Sequence, residues 1–301
     1  MEDLEGKVAF ITGGGSGAGL GQAKVFSRAG CKVVIADIRQ DHLDQAAAEL
    51  RARGAQVHPL KLDITDRQAF QAAAEEAERV FGPVQLVFNT AGVSIFGPLE
   101  RASYQDYDWI MSVNFGGVVN SMQTFVPRMI AQGKGGHIIN TASLGCFFAA
   151  STAGIYSASK FAVHGITMAM RDALAKYNIG VSVLCPANIR TNIAESVKTR
   201  PARFSRSGYK VDEDEIRLLH EIYSQGMDPE ELAGHVLESI KKNRFYIIPY
   251  PEARQLLEGT FKQVIDSLPP QDSDPAGVAK RDAAMRNYLQ ARQAMDKAKY
   301  G

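Results

Sequence analysis

The sequence lacks the features that mark several classes of protein. Its 301 residues include three cysteines, Cys31, Cys146 and Cys185, an odd and sparse count that argues against a disulfide framework and favours a reducing cytoplasm. No stretch approaches the ~20 apolar residues of a spanning helix. The first residues do not combine a basic segment with an apolar run. We therefore expect neither a membrane span nor a signal peptide.

An excess of one charge and a cluster of metal ligands are also missing. Lys plus Arg total 34 and Asp plus Glu total 33, so the formal net charge is +1. This balance gives no reason to expect nucleic acid or an anionic membrane as a partner. The six histidines do not show the spacing of metal ligands, so no metal site is expected.

Short apolar runs alternate with longer amphipathic stretches along most of the chain. The runs predict strands over residues 7–12, 32–37, 56–63, 86–89, 137–141, 181–185 and 245–249. The stretches between them predict helices, the longest over 104–131 and 154–177. Because the apolar runs are nearly continuous, the strands should be covered on both faces. The pattern predicts an α/β fold: a doubly wound, Rossmann-type parallel sheet of about seven strands with helices on both faces.

Three ranges describe the expected domain organisation. No interior segment resembles a linker, so a single domain is expected over residues 1–301. Residues 192–226 are polar and charged, and we expect them to form a mobile lid over a substrate. Residues 252–301 are expected to form a C-terminal helical extension.

A glycine-rich loop joins the first predicted strand to the first predicted helix. Glycines allow positive φ and close backbone approach to a pyrophosphate, and a helix N-terminus supplies free N–H groups and partial positive charge. A strand before the loop and a helix after it make a dinucleotide site a better interpretation than a simple turn. The candidate binding residues are Gly13, Ser16, Gly17 and Gly19.

Asp37 ends the second predicted strand and bears on the choice of cofactor. A carboxylate at this position can accept hydrogen bonds from the adenosine ribose and repel a 2′-phosphate, so we expect NAD rather than NADP. Arg39 leaves that choice open, because a nearby arginine could receive a 2′-phosphate. Asp63, at the end of the third predicted strand, is either an adenine contact or a strand-end cap.

Tyr156 and Lys160 share one face of a predicted helix, and Ser143 follows the fifth strand. Oxidation of an alcohol requires a base near neutral pH, whereas free tyrosine titrates near ~10. An ammonium about 4 Å from the phenol would stabilise the phenolate by roughly 4 kcal/mol at an effective dielectric of ~20. We therefore expect Lys160 to lower the pKa of Tyr156 into the working range.

Together with Asn89-Thr90-Ala91-Gly92 and Asn114, these motifs resemble those of the short-chain dehydrogenase/reductase family, from residue 7 to residue 249. The resemblance implies an NAD-dependent enzyme acting on a CH–OH group, and a homodimer or homotetramer. It implies that Tyr156 is the acid/base and that Ser143 holds the substrate oxygen. It also implies that Lys160 binds the nicotinamide ribose and that Asn114 positions a water of a proton relay. The cofactor residues it implies are Ile64, Asn89, Ala91, Gly92, Tyr156, Lys160, Pro186, Ile189 and Thr191. Thr90 and Ala187 depart from the Asn and Gly that are usual in the family.

A narrower resemblance concerns residues 94–99, 124–129, 186–189, 192–195 and 246–252, which are similar to the Cα-dehydrogenases of bacterial lignin β-aryl ether breakdown. It implies oxidation of the benzylic alcohol of an arylglycerol-β-aryl ether. The candidate substrate residues are Ser94, Phe96, Cys146, Phe147, Phe148 and Asn188. Aromatic walls suit an aryl substrate, but the phenylalanines fit a core or subunit interface equally well.

Other interpretations stay open. A hydroxysteroid or another bulky secondary alcohol is an alternative substrate, and a non-catalytic nucleotide-sensing protein is an alternative of another class. Arg200, Arg203 and Arg206 could meet an anionic group or belong to a solvated loop.

Overall fold

The computed structural model describes residue 1, residues 3–270 and residues 273–300. Glu2, Gln271, Asp272 and Gly301, which fall within the ranges predicted as a single domain and as a C-terminal extension, lie outside the described residues. The chain divides into two compact units, Met1–Pro251 and Glu252–Gly301.

Strands and helices alternate along the first unit. In chain order they are β1 (Val8–Thr12), α1 (Gly17–Arg28), β2 (Lys32–Asp37), α2 (Gln40–Ala52), β3 (Val57–Lys61), α3 (Arg67–Phe81), β4 (Val84–Asn89), α4 (Tyr104–Met111), α5 (Gly117–Gln132), β5 (Gly136–Thr141), α6 (Gly154–Ala175), β6 (Ile179–Leu184), α7 (Glu213–Ser224), α8 (Pro229–Lys241) and β7 (Tyr246–Ile247). The second unit contains α9 (Arg254–Asp266) and α10 (Pro275–Tyr300). The predicted helix over 104–131 is interrupted by a π-helical segment, Ser112–Gly116, between α4 and α5.

The strands form one parallel sheet in the order β3-β2-β1-β4-β5-β6-β7. This confirms the predicted seven-stranded, Rossmann-type sheet, and α9 and α10 confirm the predicted C-terminal helices. The strand order reverses between β1 and β4. In such sheets, the carboxyl ends of the strands at this reversal border the ligand crevice.

Aromatic packing on both faces explains why the strands are apolar throughout. Phe10 of β1 packs on Phe125 of α5 with ring centroids 4.8 Å apart. Phe88 of β4 pairs in register with Ile11, the neighbour of Phe10, and therefore points to the opposite face. There its ring lies 4.7 Å from that of Phe26 in α1. Each face of the sheet thus has its own layer of helices.

The segment 192–226 contains α7 and two 3₁₀ turns, Ile193–Thr199 and Ala202–Phe204. A buried ion pair attaches it to α4: Arg200 donates to Asp106, whose carboxylate is 0% exposed, at 2.6 Å. Asp106 also accepts hydrogen bonds from the Ser207 hydroxyl and the Gly208 N–H. The charge of Arg200 is therefore already paired with a carboxylate of the same chain.

Among the described residues, no helix combines the length and the hydropathy that a membrane span requires.

Candidate active site

The glycine-rich loop brings backbone groups close together at the carboxyl end of β1. Gly13 has φ +68°, and a Cβ built on it would lie 2.9 Å from the backbone of Ala91. A Cβ on Gly19 would lie 2.2 Å from the Gly13 carbonyl oxygen. Ser16 occupies the N-cap of α1, but its side chain makes no cap hydrogen bond, and it lines the cleft. A side chain at Gly13 or Gly19 would collide with neighbouring backbone, so the loop can pack this closely only with glycine at both positions.

The Asp37 carboxylate lies beside this loop at the end of β2. One of its oxygens accepts the Gly15 N–H at 3.2 Å and the other accepts the Arg39 N–H at 3.1 Å. A carboxylate has about four acceptor positions, so acceptor capacity remains on both oxygens. Asp37 and Asp63 both line the cleft, and this arrangement fits an adenosine with a free ribose diol.

Thr12 fixes the turn that follows β4. Its hydroxyl donates to the Phe88 carbonyl at 3.2 Å and accepts the N–H groups of Thr90 and Ala91 at 3.0 and 3.2 Å. The hydroxyl of Thr90 donates to Gln22 at 2.7 Å. The threonine that departs from the usual family asparagine is therefore hydrogen-bonded in place, and the turn borders the cleft through Ala91 and Gly92.

Asn114 belongs to the π-helical segment between α4 and α5 and is buried. Its side chain accepts the Val93 N–H at 2.8 Å and donates to the Val93 carbonyl at 3.0 Å. It also donates to Ser159 Oγ at 2.9 Å, and Ser159 in turn donates to the Tyr156 carbonyl at 2.7 Å. Asn114 therefore connects the chain after β4 to the first turns of α6. Single-turn π segments of this kind are frequent at functional sites.

Ser143, Tyr156 and Lys160 lie together at the carboxyl end of β5. The Ser143 hydroxyl accepts the Gly145 N–H at 3.1 Å and donates to the Pro186 carbonyl at 3.4 Å. The Lys160 Nζ donates to the Thr141 carbonyl at 3.0 Å. One helical turn separates Lys160 from Tyr156 on α6, and all three side chains line the cleft.

Burial controls the protonation of this group in the protein alone. It raises the pKa of Tyr156, whereas the neighbouring Ser143 hydroxyl lowers it. Burial also lowers the pKa of Lys160 to about 8. We expected Lys160 to lower the pKa of Tyr156, but loss of hydration acts on both groups and disfavours the charged form of each.

The cleft has a volume of about 380 Å³ and extends from Asp37 to the aromatic side chains beyond Tyr156. The Phe96 and Tyr156 ring centroids are 6.4 Å apart. Phe148 also lines the cleft, as do Trp109, Phe204 and Tyr223, which sequence reasoning did not identify. Phe204 and Tyr223 come from the segment 192–226, where no periodicity indicated which side chains would turn inward.

Four of the six candidate substrate residues do not line the cleft. Phe147 packs on His164 at 4.9 Å between ring centroids, and the Cys146 Sγ is buried 3.7 Å from the Cys185 Sγ. The Ser94 hydroxyl donates to the Ile193 carbonyl at 3.4 Å, and Asn188 donates to the Ile222 carbonyl at 2.7 Å. Each of these side chains instead contacts other groups of the chain.

Most candidate cofactor residues border the cleft. The residues that do so are Gly13, Ser16, Gly19, Asp37, Asp63, Ile64, Ala91, Gly92, Tyr156, Lys160, Pro186, Ile189 and Thr191. Gly17 instead faces a neighbouring pocket beside Thr191, and Asn89 is buried, donating to Asn140 at 2.8 Å. Among the described residues, no cluster of three or more His, Cys, Asp or Glu side chains could hold a metal ion.

Comparison with known proteins extends this description. A family model described as short chain dehydrogenase matches residues 7–202. A Cα-dehydrogenase from Sphingobium sp. (strain NBRC 103272 / SYK-6) is 50% identical over 286 residues, which cover 95% of this chain and 94% of that protein.

Two solved structures are similar in fold. The apo form of LigD from Sphingobium sp. strain SYK-6 has a TM-score of 0.76 and 45% identity, covering 89% of this chain and 100% of that one. A short chain dehydrogenase/reductase from Burkholderia phymatum, solved in complex with NAD, has a TM-score of 0.84 and 33% identity, covering 90% of this chain and 99% of that one.

Proposed function

Since the chain belongs to the short-chain dehydrogenase family, we propose that it oxidises the benzylic secondary alcohol of an arylglycerol-β-aryl ether or a similar aromatic compound, with NAD as hydride acceptor. The reaction class, dehydrogenation of a secondary alcohol, belongs to the family as a whole. As an enzyme of this family, the chain is not the non-catalytic nucleotide-sensing protein that the sequence left open.

The residues at the adenosine end fit NAD. Asp37 retains acceptor capacity for the ribose hydroxyls, and the close packing of Gly13 leaves the loop backbone open to a pyrophosphate. Lys160, Pro186, Ile189 and Thr191 line the other end, where the nicotinamide ribose and carboxamide would lie. Bound NAD supplies the carbon that accepts the hydride.

Tyr156 and Ser143 carry the proton chemistry in this proposal. As the phenolate, Tyr156 takes the proton of the substrate alcohol and becomes a neutral phenol, while Ser143 holds the substrate oxygen beside it. The backbone N–H of Gly145 donates to Ser143 Oγ and fixes its orientation. Ser143 also lowers the pKa of Tyr156 and so favours the form that accepts a proton.

Lys160 and Asn114 position this pair. The hydrogen bond from Lys160 to the Thr141 carbonyl sets the ammonium at the end of β5, beneath the Tyr156 ring. Asn114 holds the first turns of α6 through Ser159, and it anchors the chain at Val93 on the other side of the cleft. We assign the relay water to this region because Asn114 connects α6 to the interior of the site.

The proximity of Phe96 to Tyr156, with Phe148 and Tyr223 on the remaining walls, carries the proposal of an aromatic substrate. A benzylic alcohol places its reacting carbon directly beside a ring. An enzyme for such an alcohol therefore needs an aromatic surface next to its acid/base, and stacked aromatic pairs favour centroid separations of about 4.5–7 Å. The similarity to a Cα-dehydrogenase, 50% identical over 95% of this chain, also reaches beyond residues 7–202, which the family model matches.

A substrate panel tests the proposal. Racemic arylglycerol-β-aryl ethers, simple benzylic alcohols and hydroxysteroids are incubated with NAD, and NADH formation is followed by absorbance and chiral chromatography. We expect kcat/KM to be roughly two- to tenfold higher for the aryl ethers than for the steroids, since an aromatic pair contributes about 0.5–1.5 kcal/mol beyond its buried area. A preference for steroids would assign the enzyme to bulky alicyclic alcohols instead.

Three further proposals concern the setting of the enzyme. Residues 192–226 act as a lid, and hydrogen exchange in α7 should slow when cofactor and substrate are bound.

The exposed Phe161 and Met168 of α6 suit a homodimer or homotetramer. Light scattering measures the mass of the assembly and tests this proposal. The three cysteines are free thiols, in keeping with a reducing cytoplasm.

A further inference from the structure

Two carboxylates from different parts of the chain hold the Arg39 guanidinium. Asp41 accepts from Nε at 3.2 Å and from one terminal nitrogen at 2.5 Å, in a bidentate arrangement. Glu195 accepts from the other terminal nitrogen at 3.3 Å. Asp41 lies in the first turn of α2, whereas Glu195 lies in the 3₁₀ turn after Thr191.

This arrangement lies at the adenosine end of the cleft. Arg39 and Glu195 line it beside Asp37. Asp41 and Glu195 hold the guanidinium, whereas Asp37 accepts the backbone N–H of Arg39. On its outer side, Glu195 also meets the Lys198 ammonium at 2.8 Å and His220 at 3.6 Å. The Lys198 side chain is 55% exposed, so solvent screens its charge more strongly than that of Arg39.

We propose that Glu195 and Asp41 determine cofactor specificity by engaging Arg39, so that its guanidinium cannot receive a 2′-phosphate. The inference rests on the proposed use of NAD. It adds two residues, Glu195 and Asp41, to Asp37 as determinants of the choice between NAD and NADP. Arg39 is then a cation that the fold neutralises, and its presence in the sequence does not indicate NADP.

The physical reason is electrostatic. A 2′-phosphate gains from an arginine mainly through bidentate, charge-assisted hydrogen bonds. Arg39 already directs those donors at Asp41 and Glu195, so a phosphate would have to displace both carboxylates and then remain beside them. The Glu195 side chain is 24% exposed and that of Asp41 is 64% exposed, so repulsion of a phosphate would come mainly from Glu195, whose charge solvent screens less. The free 2′-hydroxyl of NAD carries no charge and avoids this repulsion.

Binding measurements without an alcohol substrate test the inference. Dissociation constants for NAD, NADP and 2′,5′-ADP are measured by titration calorimetry on the wild-type protein and on Asp41→Asn/Glu195→Gln. We expect the double variant to bind NADP and 2′,5′-ADP at least about tenfold more tightly than the wild type. Its affinity for NAD should stay within about twofold. Adding Arg39→Ala should abolish the gain.

Glu78→Gln is the matched control. Glu78 pairs with Arg128 at 2.8 Å, and its side chain is 25% exposed, against 24% for Glu195, but it lies on α3 and does not line the cleft. This variant should leave all three affinities unchanged. A double variant that binds NADP no better than Glu78→Gln, or whose gain survives Arg39→Ala, would overturn the inference.

The result of these binding measurements can be distinguished from the result of the substrate panel. Failure to oxidise any alcohol would remove the proposed function without changing the nucleotide affinities. Conversely, an active enzyme whose double variant shows no gain for 2′,5′-ADP would keep the proposed function and lose only the role of Glu195 and Asp41.

Discussion

The Lys160 Nζ lies 5.5 Å from the centroid of the Tyr156 ring, one helical turn away on α6. Its hydrogen bond goes to the Thr141 carbonyl, so the ammonium is held beneath the ring. Burial raises the pKa of Tyr156 and lowers that of Lys160 to about 8. In the protein alone, Tyr156 is therefore a protonated phenol at neutral pH.

The pH dependence should consequently differ between the two directions of the reaction. Oxidation needs Tyr156 as a proton acceptor, and that form becomes more abundant as pH rises towards its raised pKa. We expect log kcat/KM for oxidation, which reports groups of the free enzyme, to rise between pH 6 and 8 and to level off above the Lys160 pKa of about 8. Ketone reduction needs the protonated phenol and should vary little over the same range. Initial rates with NAD and with NADH measure both profiles.

Lys160→Arg provides the control for that change of slope. Arginine keeps its charge at any accessible pH, so the change of slope near pH 8 should disappear even if the overall rate falls. An oxidation rate that decreased from pH 6 to pH 8 would contradict the assignment of Tyr156 as the base.

The buried ion pair between Arg200 and Asp106 should stabilise the segment 192–226 on α4. Asp106→Asn leaves Arg200 without a counter-charge, and breaking a buried pair in this way typically costs about 3–5 kcal/mol. We expect a loss of this size in the free energy of unfolding, measured with urea, together with faster proteolysis of the segment. Asp108→Asn is the control, because Asp108 is an exposed carboxylate on the same helix. This substitution should change the free energy of unfolding by less than about 0.5 kcal/mol.

The hydrogen bonds of Asp106 also predict an acid limit. Burial raises the Asp106 pKa, but the N–H groups of Gly208 and Ser103, and then Arg200, lower it to about 2 from an ordinary value of 3.8. A lowered pKa in the folded state means that the stabilisation is fully present above the unfolded value and is lost as pH falls towards 2. Wild-type stability should therefore decline below about pH 4 more steeply than that of Asp106→Asn. Parallel curves for the two proteins would contradict this explanation.

Asp37→Ala should weaken the preference for NAD. The substitution removes the acceptor of the ribose hydroxyls, and hydrogen bonds to charged groups contribute about 1.5–3 kcal/mol each. We expect the affinity for NAD to fall by at least about tenfold, while that for NADP changes little. Asp37→Asn keeps one acceptor oxygen and should give an intermediate value. A wild-type protein that preferred NADP would overturn the interpretation of Asp37.

The sequence predicted what local patterns determine. Continuous apolar runs revealed strands covered on both faces, and the glycine-rich turn between β1 and α1 does border the cleft. Tyr156 and Lys160 were placed on one helical face by their spacing alone. Each of these features depends on residues that are neighbours in the chain.

Other features depend on residues far apart in sequence. Arg200 is fixed by Asp106, so no local pattern could show that its charge is already paired. Phe148 lines the cleft, whereas Phe147 packs on His164. This difference depends on how the chain turns after Ser143. The raised pKa of Tyr156 follows from burial, which sequence spacing does not measure. The segment 192–226 had no recognisable period because its inward-facing residues contact several different elements.

Turnover by Tyr156→Phe is the most direct test of the central claim that this phenol is the acid/base. General acid–base catalysis contributes about 10²–10⁴-fold, so we expect kcat to fall by at least a hundredfold while NAD affinity stays within about twofold of the wild type. Tyr107→Phe, which removes an exposed phenol outside the cleft, should have full activity. If Tyr156→Phe retained kcat within about threefold of the wild type, Tyr156 could not be the group that exchanges the substrate proton.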